Sequence, residues 1–305
     1  MAERNVNPRK QARAEAAKKH MEQMAARYGR EIDQAAEATV RYDGAPAHPE
    51  GFVGCVPTVE VVAQDATSVI LERGRGRASF CDLAVLDFAS FVNPAGGYAR
   101  GAAGQEQSLC RESFLANVLE RFGDWYAENR RRNLNCELYR NRGLLVPAVR
   151  FGRGKVHAYA DVIVVAAPNA RRARSEYKVA DNLLTDAMRD RIRFVLDILD
   201  ARGIKKVVLG AYGCGVFGWD ASEVAEMFRA ELAAGTHGVE QVVFAVPETR
   251  YDDNFPRFEH ALATFPDAND QSFADAQAAR AAAKAAEAAA VQEEDEEEDD
   301  WRKYL

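Results

Sequence analysis

The sequence predicts an α/β protein in which a mixed, largely parallel β-sheet lies between two layers of helices. Two observations carry that expectation. Short β-branched runs of strand length alternate with longer segments whose apolar residues recur at steps of three and four. Twice, moreover, a strand-like run passes through a glycine-rich loop directly into a helical pattern, the connection that parallel sheets use at their ligand sites. The chain has 305 residues and 48% hydrophobic content, enough for one large core with additions at its ends.

In chain order, residues 10–41 mix Ala with Glu, Lys and Arg. Ala14, Ala17, Met21, Met24 and Tyr28 mark a modest apolar stripe there, which predicts one or two accessory helices packed on the core. Asp43-Gly-Ala-Pro-Ala-His-Pro49 breaks the pattern. Strands are expected at about 58–63, 82–88, 144–151, 161–166, 205–210 and 240–246, and helices at about 105–122, 183–202 and 221–234. From Ala274 to Ala290 few large apolar residues are present, so a lone exposed helix is expected, followed by an acidic tail. The expected division is a helical segment at 1–45, the main domain at 46–265 and the alanine-rich and acidic end at 266–305.

Asn93-Pro-Ala-Gly-Gly-Tyr-Ala-Arg-Gly-Ala-Ala-Gly-Gln-Glu-Gln107 follows the run Leu83-Ala-Val-Leu-Asp-Phe-Ala89 and leads into helical spacing at Leu109, Phe114, Leu115, Val118, Leu119 and Phe122. Amides at Gly96, Gly97, Gly101 and Gly104 can converge on a phosphate, and a helix start adds the positive end of its dipole. Such glycines can equally serve as a plain turn, with Glu106 as a first-turn acid. A second cradle, Gly210-Ala-Tyr-Gly-Cys-Gly-Val-Phe-Gly-Trp-Asp220, follows Lys206-Val-Val-Leu-Gly210. In a parallel sheet both loops emerge at the carboxyl ends of their strands, so one diphosphate can be gripped from two sides.

Three ordered motifs carry a family resemblance: Asn93-Pro-Ala-Gly-Gly97 with Gln105-Glu-Gln-Ser-Leu-Cys-Arg-Glu-Ser113, Asp161-Val-Ile-Val-Val-Ala-Ala-Pro-Asn169, and Gly210-Ala-Tyr-Gly-Cys-Gly-Val-Phe217. From about Arg9 to about Phe258 the sequence resembles the microbial-type poly(ADP-ribose) glycohydrolases, a branch of the macrodomains. The resemblance implies a macrodomain-like three-layer α/β/α fold and binding of ADP-ribose or poly(ADP-ribose), including polymer on ADP-ribosylated proteins. It further implies hydrolysis of the ribose–ribose bond without a cofactor, within the turnover of ADP-ribosylation that belongs to the DNA damage response.

The family signature is three glycines, a spacer and Gln-Glu-Glu, the second glutamate being catalytic. Here Ala95 stands for the first glycine and Gln107 for the catalytic glutamate. The first change is mild if the backbone at 95 has negative φ. The second bears on the chemistry, because bond cleavage passes through an oxocarbenium-like state and the departing oxygen needs a proton. A glutamine amide can hydrogen-bond that oxygen but cannot protonate it. Three accounts stay open: a binder with little turnover, an enzyme in which Glu106 serves as the acid, or an active scaffold whose glutamate was replaced. On a helix start Glu106 and Gln107 lie about a hundred degrees apart, so a substitute acid would approach the bond at a different angle.

By resemblance, Asn93 is a candidate for the ribose hydroxyls and Phe217 for the terminal ribose, with Gln105, Gly213, Cys214, Gly215 and Val216 completing the cradles. Asn93 can also simply make an Asn-Pro turn, and Phe217 can be core packing. Asp65 is a candidate for the adenine amino group or a turn and cap residue, and Asn169 a candidate cleft residue. Tyr212 and Trp219 read as walls.

The five cysteines are scattered and the five histidines lack metal-binding spacing, so no metal is expected. Eight acidic residues between 293 and 300 account for the net charge of −7, leaving the remainder close to neutral, which does not oppose an anionic ligand. Arginine and asparagine are dense between 126 and 153; a solvated surface is the usual outcome, tracking of a polymer's phosphates the alternative. No direct nucleic-acid partner and no membrane association are expected, and an intracellular location follows from the polar, charged first thirty residues. Trp301 and Tyr304 after the acidic run read either as a docking motif or as part of a solvated tail.

Overall fold

A computed structural model describes residues 7–132 and 135–283. The expected acidic run and the Trp301–Leu305 motif lie outside the described residues. Among the described residues, seven strands form one sheet in the order β1-β4-β5-β3-β6-β7-β2, with β1 at Val40–Asp43, β2 at Thr58–Val62, β3 at Ala84–Phe88, β4 at Arg142–Arg153, β5 at Val156–Val165, β6 at Lys206–Leu209 and β7 at Gln241–Ala245. Strands β5, β3, β6, β7 and β2 run parallel, whereas β4 pairs antiparallel with both β5 and β1. The sheet is therefore mixed and largely parallel, as the alternation of strand and helix patterns predicts.

Alternation along each strand divides the core in two. Ala84, Leu86, Leu145, Ile163, Val165, Val207 and Leu209 face one helical layer, and Val85, Leu144, Val146, Val162, Val164, Val208 and Val243 the other. The first layer is built from α6 (Ala170–Ser175), α7 (Asp181–Arg202), α8 (Ala221–Ala233) and α9 (Asn254–Leu262). The second holds α1 (Pro8–Glu37), α2 (Ala66–Arg73), α3 (Gln105–Arg111), α4 (Leu115–Leu119) and α5 (Gly123–Arg132). Together they give the three-layer α/β/α arrangement.

Several elements differ from expectation. The N-terminal segment is one long helix with non-helical φ/ψ at Tyr28, and it buries Ala17, Ile32 and Ala35. The predicted helix over 105–122 is broken after Arg111. There the Ser113 hydroxyl donates to the Leu109 carbonyl at 2.7 Å and accepts from the Leu115 amide at 3.1 Å, offering the backbone a local alternative to the helical ladder. Strand β1 and helices α2, α5, α6 and α9 are too short for periodicity to mark them. The alanine-rich segment is helical over 273–283 but is not free of the body: Phe273 sits edge-on to His260 of α9 with ring centroids 5.7 Å apart, and Arg280 pairs with Glu259 at 3.0 Å. No helix among the described residues is long and apolar enough to cross a membrane.

Candidate active site

Because β3 lies beside β6 in the parallel part of the sheet, the loops that follow them meet at the same edge. Between them is a cavity of about 710 Å³, lined by both glycine loops, by the start of α3 and by the segment after β7.

The first loop is wound tightly. Residues Pro94–Arg100 form a 3₁₀-like turn in which Ala95, Gly96 and Gly97 all have left-handed φ, at 48°, 56° and 82°. Negative φ at Ala95, the condition under which its methyl group costs little, is thus not met; an L-residue in this region costs about 1–2 kcal/mol. Packing compensates in part, since Ala95 is 1% exposed. Gly96 is favoured by φ, and a Cβ there would overlap the side-chain ends of both Glu106 and Gln107, which would have to shift. The two side chains leave the helix start in different directions, yet their ends converge on this one glycine.

Not all four glycines of the loop serve the cavity. Gly96 and Gly104 line it, whereas Gly97 lies against the Arg100 guanidinium and Gly101 against the Lys10 backbone of α1. Arg13 donates to the Gly101 carbonyl at 2.9 Å, so α1 clamps the loop from behind. Convergence of all four amides on one phosphate is therefore corrected to a division of labour, in which close approach to α1 accounts for Gly101.

Three side chains open α3. Gln105 accepts from the Phe88 amide and donates to the Leu86 carbonyl, both at 2.9 Å, so its amide fastens the helix start to the end of β3 while its flank faces the cavity. Glu106 is 4% exposed; one oxygen accepts from the Ser90 amide at 3.0 Å and the other has no hydrogen-bond partner among the described residues. Gln107 is 6% exposed and donates to the Ala95 carbonyl at 3.1 Å.

Behind Glu106 lies a residue not singled out in the sequence. Asp87 of β3 is fully buried, with neither oxygen hydrogen-bonded among the described residues. Burial pushes the Asp87 carboxyl well above the usual carboxylate range; burial, and then the charge of Asp87, does the same for Glu106. Two buried carboxyls with no cation between them among the described residues oppose one another's ionisation, which favours a proton on the pair. The available signal was a lone acid in the apolar run 83–89, on the face that turns toward α3.

The second loop is open. A Cβ on Gly215 would meet nothing within 4 Å, and Val216 is 75% exposed at the cavity rim. Gly213, Gly215, Val216 and Phe217 line the cavity, while Cys214 does not. Burial and the charges of Asp220 and Asp252 raise the Cys214 thiol far above its ordinary range, so it is no nucleophile at neutral pH. Tyr212 is a wall, its hydroxyl donating to Val165 at 2.9 Å, and Trp219 donates to Pro168 at 2.8 Å.

The outer candidates separate. Asp65 lines the cavity and also caps α2, accepting from the Ser68 amide at 3.0 Å and pairing with Arg153 at 3.1 Å. Burial would raise its carboxyl, but the Ser68 and Arg153 contacts hold it below the usual range, and it stays ionised. Asn169 caps α6 by accepting from the Arg172 amide at 3.1 Å and is not part of the cavity wall. Asn93 lies outside the wall as well, its side-chain oxygen accepting from Arg130 at 3.1 Å. The Asn93 side chain makes no capping bond to the turn that follows it. Thr249, Asp252 and Asn254 on the segment after β7 join the lining, and no sequence pattern marked them.

The chain is similar to known proteins in both sequence and overall structure. The family profile described as microbial-type PARG, catalytic domain, matches residues 11–154. Among solved structures, poly(ADP-ribose) glycohydrolase from Thermomonospora curvata bound to the inhibitor ADP-HPD is similar at TM-score 0.67 and 27% identity, covering 81% of this chain and 98% of that one. The Deinococcus radiodurans poly(ADP-ribose) glycohydrolase in complex with ADP-ribose is similar at TM-score 0.64 and 28% identity, covering 77% of this chain and 98% of that one. No curated protein matches the sequence. In sequence and in fold the chain resembles the microbial-type poly(ADP-ribose) glycohydrolases.

Proposed function

We propose that the cavity binds ADP-ribose and that the chain is a poly(ADP-ribose) glycohydrolase-type protein, directed at the ribose–ribose glycosidic bond, with turnover reduced by Gln107. The observation that carries this reading is the convergence of Glu106 and Gln107 on Gly96 at the wall of a cavity held between two glycine loops. The diphosphate lies between Gly96 and the amides of Gly213 and Gly215, the terminal ribose lies toward Phe217, and the adenine amino group lies toward the ionised Asp65. Polymer, free or on modified proteins, is the substrate class, and removal of ADP-ribosylation inside the cell is the role.

The chemistry needs one proton donor at the departing ribose oxygen and one acceptor for the attacking water. Gln107 can hydrogen-bond but supplies neither. Glu106, held protonated by burial and by Asp87, is the carboxyl at the wall beside Gln107 and Gly96. It donates the proton to the leaving oxygen and afterwards, as the carboxylate, takes one from water. No cofactor enters this scheme.

A second reading has its own support. Gln107 is tied to the Ala95 carbonyl and so stabilises the first loop without any chemistry; a module that binds ADP-ribose with little or no turnover would be built this way. Release of ADP-ribose from purified poly(ADP-ribose), followed beside calorimetric binding of ADP-ribose, distinguishes the two. Binding with slow release supports the impaired enzyme, binding without release supports the module, and absence of binding overturns both.

A further inference from the structure

At the opposite edge of the sheet from the cavity, by the amino ends of β6 and β7, four side chains from three distant segments meet. They are His48 from the loop before β2, Asp197 and Asp200 from the last turns of α7, and His237 from the loop before β7. None of the four lines the cavity. We infer that His48, Asp197, Asp200 and His237 form a binding site for one divalent transition-metal ion of the zinc class.

Geometry is the first support. One donor atom from each residue lies within 4.8 Å of all the others. His48 Nε2 is 3.2 Å from Asp197 Oδ1 and 3.7 Å from Asp200 Oδ2, and His237 Nδ1 is 2.7 Å from Asp200 Oδ2 and 4.0 Å from Asp197 Oδ1. Ligands about 2.0–2.1 Å from a tetrahedral zinc ion stand about 3.3 Å apart, which these separations straddle. Binding lengthens the 2.7 Å contact, as the ion displaces the proton it shares, and draws in the pair at 4.0 Å.

Charge is the second. Two carboxylates occupy the C-terminal end of α7, where the helix dipole disfavours anions, and Asp200 is 2% exposed. Among the described residues they pair with His48 and His237 and with no lysine or arginine. Once an ion displaces the proton that Asp200 and Glu231 favour on His237, two imidazoles and two carboxylates match its double charge. Mixed imidazole and carboxylate donors suit zinc better than magnesium or calcium.

The surroundings of the cluster are the third, independent support. Metal-bound histidines typically give their other ring nitrogen to a carboxylate. His237 Nε2 lies 3.4 Å from Glu231 Oε1, and Glu231 is itself held by Arg193 at 3.1 and 3.2 Å. Asp200 has its second oxygen engaged by the Gly238 amide at 2.8 Å, which leaves Oδ2 turned to the cluster. His48 is half-exposed, its ring tilted against that of Phe52, which gives the ion a path from solvent. Bound metal would fasten the loop that carries His48 to α7. Positions 48, 197, 200 and 237 are too far apart in sequence to form any spacing motif, so the absence of one says nothing about the site.

The test uses the full chain after dialysis against a chelator. Calorimetric titration with Zn²⁺ is expected to give one ion per chain and a rise in melting temperature. His48→Gln, at a half-exposed loop position that tolerates exchange, is expected to weaken Zn²⁺ binding by at least about tenfold and to remove the thermal shift. His237→Gln should do the same. ADP-ribose affinity should be unaltered in both. Substituting Co²⁺ should give ligand-field bands without sulfur-to-metal charge transfer, since no cysteine belongs to the site. Absence of Zn²⁺ binding by the parent chain, equal affinity in parent and His48→Gln, or a thiolate band with Co²⁺ would each overturn the assignment.

Discussion

Gln107 donates its side-chain amide to the carbonyl of Ala95 at 3.1 Å, so the two positions at which this chain departs from the glycohydrolase signature are bonded to one another. The departures are therefore one structural unit. An amide at 107 holds the carbonyl of a residue that, with φ at 48°, is itself in a costly conformation. A carboxylate at 107 would present an oxygen to that carbonyl and could keep the contact only as the neutral acid.

Restoring the acid is thus expected to do two things. Gln107→Glu should raise release of ADP-ribose from poly(ADP-ribose) by at least about a hundredfold, the lower end of general acid–base assistance, with ADP-ribose affinity little changed. Stability should fall where the introduced carboxyl ionises, and Ala95→Gly in the same chain should recover part of it by relieving the left-handed alanine. Polymer turnover and melting curves of the two single variants and the double variant form the cycle. Equal turnover in parent and Gln107→Glu would remove position 107 from the chemistry.

Gly215 gives a cleaner probe of the second loop, because a side chain there meets nothing in the free protein. Gly215→Glu should fold normally and lose ADP-ribose binding, since it places bulk and negative charge where a diphosphate is proposed to lie. Calorimetric titration reads this directly. Undiminished affinity in a folded variant would take the second loop out of the site.

How far the sequence reached can be judged at particular residues. The two cradles and the layering were legible because strand, glycine loop and helix recur in order, and because β-branched alternation marks the sheet. What escaped was set by contacts between distant segments. Gly101 looks like its neighbours in the sequence, but it is a glycine because α1 passes against it. Asn93 points to Arg130, and Gln105 spends its amide on β3, neither of which spacing can reveal. Asp87 was visible as an acid in an apolar run, yet only the packing of β3 on α3 gives it Glu106 as a neighbour.

The C-terminal end illustrates the same point with a measurable consequence. Composition suggested a lone exposed helix from Ala274, whereas Phe273 and Arg280 contact α9 and the Arg257 guanidinium lies 4.7 Å from the Phe273 ring. Deleting residues 270–305 should therefore lower the melting temperature rather than leave it unchanged. Phe273→Ala alone should cost about 1 kcal/mol, from partial burial of one aromatic ring and its cation contact. ADP-ribose affinity should be unaltered in both. An unchanged melting temperature in the deletion would show that the contact adds nothing.

The buried carboxyl pair sets a pH dependence whose sign is fixed. Asp87 and Glu106 both have folded-state pKa values raised above the unfolded range, by burial first and, for Glu106, then by the charge of Asp87. The folded state consequently binds more protons than the unfolded chain once pH exceeds the ordinary carboxylate range. Stability associated with the pair is full at about pH 4 and is lost as pH rises through the raised values. Asp87→Asn removes one ionisable group at nearly constant shape, so its melting temperature should match the parent near pH 4. At pH 8 it should exceed the parent by at least about 2 °C, the shift of roughly 1 kcal/mol in a domain of this size. The same change lowers the repulsion that keeps Glu106 protonated. If Glu106 is the acid behind residual turnover, the alkaline limb of the rate profile should move to lower pH in Asp87→Asn, and Glu106→Gln should abolish release while leaving a folded protein. Release by Glu106→Gln at the parent rate would show that Glu106 only positions the sugar, and an unshifted limb in Asp87→Asn would show that the pair does not govern the proton.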